Sequence, residues 1–185
     1  MSNKVKYGLS NVHIHPVKSE NTSSVTYDTA FKLPGAVSLS LDPSGDSNSF
    51  FADDVPYYSE FSNNGYSVDF EVAMLNEDFE TKILGYIKDT NGAIIENVNA
   101  ISTAFAMSFE FKGDKKRTRH VLYYCKASRP KTESGTVEEK TKVSTDKLKF
   151  DALPHPVTGN IKAKLMQDQE GYETFHTKPY EKAGD

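Results

Sequence analysis

The sequence predicts a mainly β protein with one flanking α-helix, folded as an antiparallel β-sandwich or a partly closed barrel. Three observations carry this. Most patterned segments alternate apolar and polar residues with period two, as half-buried strands do. One stretch, residues 77–88, instead sets Phe79, Ile83, Leu84 and Ile87 on one stripe and Glu80, Lys82 and Lys88 opposite, which predicts a helix of about three turns. Sheet is the only large partner the pattern offers that stripe, so the helix should lie on the sheet.

With 185 residues the chain can build one sizeable core. Its 22 Lys and Arg against 26 Asp and Glu leave a net charge of -4, which speaks for solubility and little more. Acidic residues crowd the first half, from Asp42 through Asp53 and Asp54 to Glu80, while Lys112, Lys115, Lys116, Arg117, Arg119 and Lys126 come later. Complementary patches between copies, or hairpin tips of opposite sign, both fit that order. The single cysteine, Cys125, excludes an internal disulfide and a cysteine-rich metal site, and its strand-like setting predicts a buried, unreactive thiol. Nothing resembles a signal-peptide core or a span of about 20 apolar residues, so the expectation is folding in a cytoplasm with no membrane anchor.

In chain order, Val5, Tyr7, Leu9, Val12 and Ile14 alternate loosely until Pro16. His13 and His15 would share one strand face, but local spacing places no third donor, so exposed or locally hydrogen-bonded imidazoles are expected rather than a metal site. Residues 25–31 form a weaker strand ended by the Lys32-Leu33-Pro34-Gly35 turn, and Val37, Leu39 and Leu41 alternate with Ser38 and Ser40. Turn formers from Asp42 to Asn48 lead into Phe50, Phe51, Tyr57, Tyr58 and Phe61, interrupted by Asp53-Asp54 and Pro56. Asn64-Gly65 can supply the positive φ angles of a hairpin between residues 50–61 and 66–74, whose second strand faces Val68, Phe70, Val72 and Met74 inward. Residues 42–65 are too polar to be all core and too aromatic for an indifferent loop. A protein interface and a surface excursion whose rings fold back both remain open.

Past the helix, Lys88 to Gly92 reads as its C-terminal stop, and Ala93, Ile94, Ile95 and Val98 as a short strand or ordered connection. Phe105, Met107, Phe109 and Phe111 make a core face opposite Ala104, Ala106, Ser108 and Glu110. Gly113 to Lys116 is a hairpin tip whose cationic neighbours are expected to be solvated. Val121, Tyr123, Cys125 and Ala127 should then share one strand face, with His120, Leu122, Tyr124 and Lys126 on the other. Val137, Glu139, Thr141, Val143 and Thr145 can line a long polar strand before Leu148 and Phe150 rejoin the core. After a proline-punctuated connection, residues 157–166 suit an edge strand, and Tyr172, Phe175 and Tyr180 can tie down a polar tail.

No phosphate-binding glycine loop, dinucleotide fingerprint, zinc-protease pair or serine elbow is present. The acids at Glu77, Asp78 and Glu80 suit the positive end of a helix. Cys125 and His120 fall on opposite strand faces, a poor arrangement for a nucleophile and its base. The expectation is a protein that is not an enzyme, with no catalytic residue, cofactor or metal.

The ordered set of segments is more specific than any one motif. Val5 to Gly8, the Leu33-Pro34-Gly35 turn before Val37-Ser38-Leu39-Ser40-Leu41, Phe50-Phe51-Ala52-Asp53, Asn64-Gly65-Tyr66 and the predicted helix resemble the major tail protein family of long non-contractile-tailed phages of Gram-positive bacteria. Tyr123-Tyr124-Cys125-Lys126-Ala127 and residues 138–150 are similar to that family's later part. The resemblance implies a tail tube protein, with a tail-tube-like β-sandwich over residues 1–150, helix 77–88, a long loop at 42–65, and a C-terminal extension or arm at 151–185. It implies hexameric rings that stack around a tape-measure protein, meet a tail terminator and a tail-tip or distal tail protein, and pass genomic DNA. Such a protein belongs to the virion tail and is assembled in the host bacterial cytoplasm.

Carried over by region, the loop, the segment before Val17 and the tail after Asp151 become contacts between copies, with Phe50, Phe51, Tyr57 and Tyr58 as oligomer-interface anchors. The lumen should be hydrophilic, so residues 115–119 are expected to face outward or pair with an acidic loop of a neighbour. The alternative is a monomeric β-sandwich carbohydrate-binding module that uses Tyr57 and Tyr58 as a platform.

Overall fold

The computed structural model describes residues 8–112, 116–131 and 144–182. Val5 and Tyr7, the Gly113-Asp114-Lys115 tip, and the expected strand positions Val137 to Val143 lie outside the described residues. Strands β1 (Leu9–Glu20), β2 (Val25–Tyr27), β3 (Phe31–Lys32), β4 (Ala36–Ser44), β5 (Ser47–Ala52), β6 (Val55–Phe61) and β7 (Gly65–Val72) precede helix α1 (Glu77–Lys82). Strands β8 (Ile87–Lys88), β9 (Ile94–Ile95), β10 (Phe105–Phe111), β11 (Arg119–Ala127), β12 (Asp146–Leu153) and β13 (Lys162–Leu165) follow it. The fold is mainly β, as expected from the period-two segments.

The main sheet runs β2-β1-β10-β11-β12-β7-β4, with β3 added to β1 and β13 to β11. Its pairings are antiparallel, and β1 and β4 approach one another without hydrogen bonding, so the sheet curls over its core but stays open. Inside the curl, Val12 and Ile14 from β1 meet Val68, Phe70 and Val72 from β7 and Leu148 and Phe150 from β12. Phe105 sits at the centre, edge-on to Phe79 of α1 at 5.8 Å and to Phe150 at 5.5 Å. A second cluster on the other face joins Ala106, Val121 and Tyr123 to Leu165, Tyr172 and Phe175.

Two expectations are corrected here. Opposite Phe105 stands Cys125, yet opposite Met107 stands Leu122, so β11 carries one residue more than β10 between those pairs. This bulge reverses the facing of β11. Val121 and Tyr123 point into the second cluster, whereas Cys125 and Ala127 point into the first. The same point forks the sheet: Arg119 to Leu122 pair with β13, and Tyr124 to Ala127 pair with β12. Cys125 itself is fully buried, and burial pushes its thiol well above the usual range.

The helix is also shorter than its stripe predicts. Asn76 caps its start, with Oδ1 accepting the Phe79 N–H at 3.0 Å, and Phe79, Ile83 and Leu84 are buried as expected. It stops at Lys82. Just past its end Gly85 takes a φ of +74°, the left-handed conformation that diverts a chain from a helix, and its backbone lies so close to Ile101 that a Cβ would stand 2.6 Å from the carbonyl oxygen. Ile87 falls on the helical period but pairs with Ile95 in the small β8-β9 ribbon and is exposed. The Asp89 to Gly92 stretch is therefore the turn of that ribbon rather than a helix stop. Met74 lies beyond β7 and is exposed. Among the described residues no helix is long and apolar enough to cross a membrane.

Where β7 begins, Gly65 has a φ of +112°, and a Cβ on it would lie 2.1 Å from the Ala152 carbonyl oxygen of the neighbouring strand. Gly65→Ala should therefore destabilise the protein by about 2 kcal/mol or more in urea unfolding. A neutral substitution would show that β12 yields at no cost.

Candidate functional site

The feature that stands apart from the core is the β5-β6 hairpin. Asp53 and Asp54 both take positive φ, 52° and 60°, as the two central residues of a tight hairpin turn of the primed type must. Asp tolerates that region better than most residues with a Cβ. Ser49 and Ser59 join their hydroxyls across the ribbon at 2.9 Å, and the Ser62 N–H donates to the Asp46 carbonyl at 2.9 Å to close its base. The expected hairpin between residues 50–61 and 66–74 is thus corrected. Asn63-Asn64-Gly65 is a connection, and β7 pairs with β4 and β12 instead.

The aromatic rings of this ribbon do not fold back onto the sheet. Phe50, Phe51, Tyr57, Tyr58 and Phe61 are between 58% and 80% exposed, and Val55 is exposed with them. All four anchor residues expected from sequence lie on this one hairpin, Phe50 directly opposite Tyr58. Asp42, Asp46, Asp53, Asp54 and Glu60 are exposed as well, and no Lys or Arg occurs anywhere in residues 42–65. The result is an acidic ribbon with apolar groups in water on a two-stranded element that has little stability of its own. Of the expected short strand or ordered connection, Ile94 and Ile95 form β9, while Val98 lies beyond it and, with Ile101, forms further exposed apolar surface.

Beside the half of β11 that pairs with β13 lies a cavity of about 370 Å³. Leu41, Phe109, Phe111 and Leu122 form its apolar lining, and Lys162 and Lys164 of β13 stand at it as exposed cations. The Lys162 ammonium lies 4.3 Å from the centre of the Tyr66 ring. His120, stacked on Phe109 at 5.3 Å, is the other titratable group lining it. That set does not assemble a nucleophile, base and orienting acid.

The C-terminal segment is held to the sheet by a buried polar cluster that local sequence spacing did not reveal. His15 is fully buried, and its Nε2 meets Ser108 Oγ at 3.0 Å. The same hydroxyl meets His176 Nδ1 at 2.9 Å, so Ser108 donates to one imidazole and accepts from the other. His13 stacks on His176 at 4.7 Å while its Nδ1–H donates to the Asn11 carbonyl at 2.9 Å. His13 is thus locally hydrogen-bonded as expected, whereas the expectation of an exposed or locally hydrogen-bonded imidazole is corrected for His15, which is buried and bonded to Ser108 far along the chain. Ser108, His176 and Glu110 supply the elements of a nucleophile, base and acid, but Ser108 is sealed from solvent and offers a substrate no access. Among the described residues no three His, Cys, Asp or Glu side chains are placed to hold a metal ion.

Arg119 corrects the reading of the basic turn. It is not solvated: its guanidinium stacks 3.8 Å from the centre of the Tyr172 ring, donates to the Tyr172 carbonyl, and lies 3.6 Å from Glu110 Oε2. It therefore pins the C-terminal segment within its own chain.

Burial holds the His15 imidazole down to about 4, aided by His13, and burial holds His176 down to about 3, aided by His13 and Arg119. Unfolded histidines take up protons below about 6.5, whereas these two resist. The stability they contribute is complete above that pH and is lost as pH falls through 4 and then 3, on the order of 3 kcal/mol for His15. The urea midpoint should fall more steeply between pH 6.5 and 4 for the native protein than for His15→Leu. Parallel slopes would refute the assignment. For the hairpin, Phe50→Ser with Phe51→Ser should leave the unfolding free energy of the monomer within about 0.5 kcal/mol, since neither ring is core. A larger loss would place the rings in the fold's own packing.

No family model and no curated protein matches the chain. Among solved structures it is similar to the anti-feeding prophage cap, the AFP tube terminating cap, seen by cryo-EM. The two share 9% sequence identity with a TM-score of 0.46, over 88% of this chain and 93% of that one.

Proposed function

We propose that this protein is a structural subunit of a phage tail tube, assembling as hexameric rings that stack around a tape-measure protein and leave a conduit for DNA. The observation that carries the reading is the β5-β6 hairpin, which keeps five aromatic rings in water while the core is complete without them. Apolar groups gathered this way on a projecting element mark a surface that another protein covers. A contact between two different surfaces of identical copies closes into a ring when the rotation closes and extends into a filament when it does not. The surface that lines such a conduit is expected to be poor in fixed cations, which would bind phosphates and retard passage. In this reading a tail terminator and a tail-tip protein cover the two ends of the stack.

Negative-stain electron microscopy over a concentration series, with and without a tape-measure protein, tests this directly. Rings or tubes with a central channel are expected, and Phe50→Ser with Phe51→Ser should abolish them. Monomers under every assembly condition would remove the reading, and saturable glycan binding by those monomers would replace it.

A further inference from the structure

The chain carries both an acidic aromatic projection and an apolar cavity with cations at it. Its own hairpin does not fill its own cavity, because the rings remain in solvent. We propose that the β5-β6 hairpin of one copy seats in the cavity between β4, β10 and β13 of a second copy. This rests on the self-assembly reading above and names the receiving surface.

Three properties match. The cavity, about 370 Å³, has room for aromatic side chains and is lined by Leu41, Phe109, Phe111 and Leu122. Lys162 and Lys164 line the cavity as exposed cations, opposite in sign to Asp53 and Asp54 at the hairpin tip, and the hairpin has no cation to oppose them. The stoichiometry also follows from the chain. Every copy supplies one projection and one cavity, so each can donate to one neighbour and accept from another, as a ring or filament requires. A small-molecule site would need convergent polar groups to fix a ligand, and here the polar lining is confined to His120 and the two lysines.

A photo-crosslinking amino acid placed at position 51 tests the proposal, with the crosslinked peptides mapped by mass spectrometry at assembling concentrations. The expected product joins position 51 of one copy to the β13 peptide or to Leu41 or Phe111 of another. Crosslinks to a different surface of a second copy would overturn the cavity assignment and leave self-assembly standing. The absence of any intermolecular crosslink, with monomers in the ultracentrifuge, would overturn both. Independently, Lys162→Glu with Lys164→Glu should raise the concentration needed for assembly about tenfold or more, and adding Asp53→Lys with Asp54→Lys should restore it. Assembly unaffected by the lysine reversals, or not restored by the exchange, would also overturn the cavity assignment.

Discussion

Burial of β10 on both faces is the constraint from which the rest of the structure follows. Phe105, Met107 and Phe109 fill the space inside the curled sheet, and Ala106 and Ser108 face the second cluster. Large residues on one side give the helix something to pack on, since Phe79 meets Phe105 edge-on. Small residues on the other side let the segment around Tyr172 to His176 approach closely. That approach puts a hydroxyl in a dry place, and a buried hydroxyl must be paired. His15 and His176 supply the partners, and in doing so they make the docking of the C-terminal segment sensitive to acid.

The bulge in β11 is the second determinant. A strand that kept one facing throughout would extend a single sheet, whereas the extra residue lets Val121 and Cys125 point to opposite cores. β11 can then give its first half to β13 and its second half to β12. On the side where the first half of β11 pairs with β13, a cavity opens between β4, β10, β11 and β13, with Leu41 and Phe109 in its lining. The opening is therefore a product of sheet topology rather than a separate element.

These features were legible in the sequence to different depths, for physical reasons. The inward faces of β7 and β10 could be read because a half-buried strand imposes its period locally, and so could the burial of Phe79, Ile83 and Leu84. The end of the helix could not, because Asn91-Gly92 is the stronger local stop signal, whereas the chain already turns left-handed at Gly85, where it packs against Ile101 far along the chain. The hairpin turn was misplaced because Asn64-Gly65 is the stronger local signal for positive φ, although the fold uses Asp53-Asp54. His15 and His176 are joined only through Ser108, and Arg119 finds Tyr172 only after folding, so no spacing rule could assemble them. The exposed aromatic residues of the hairpin stand out in the sequence because aromatics amid turn formers and acids are anomalous for either core or loop.

The charge of the hairpin constrains how it can be covered. Asp53, Asp54 and Glu60 on the hairpin, with Asp46 at its base and no Lys or Arg in residues 42–65, make two such ribbons repel when they approach within a Debye length, about 8 Å at physiological salt. A symmetric contact of hairpin on hairpin would bring those like charges together while burying the rings, and the desolvation would make the repulsion stronger. The rings are therefore best covered by a surface of different composition, apolar beneath and cationic at its edge. A chain that carries such a surface elsewhere on itself can satisfy the condition only through a directional contact, in which donor and acceptor faces differ. Directionality is what separates an extendable assembly from a closed dimer. The charges of the hairpin thus favour a directional contact over a symmetric one.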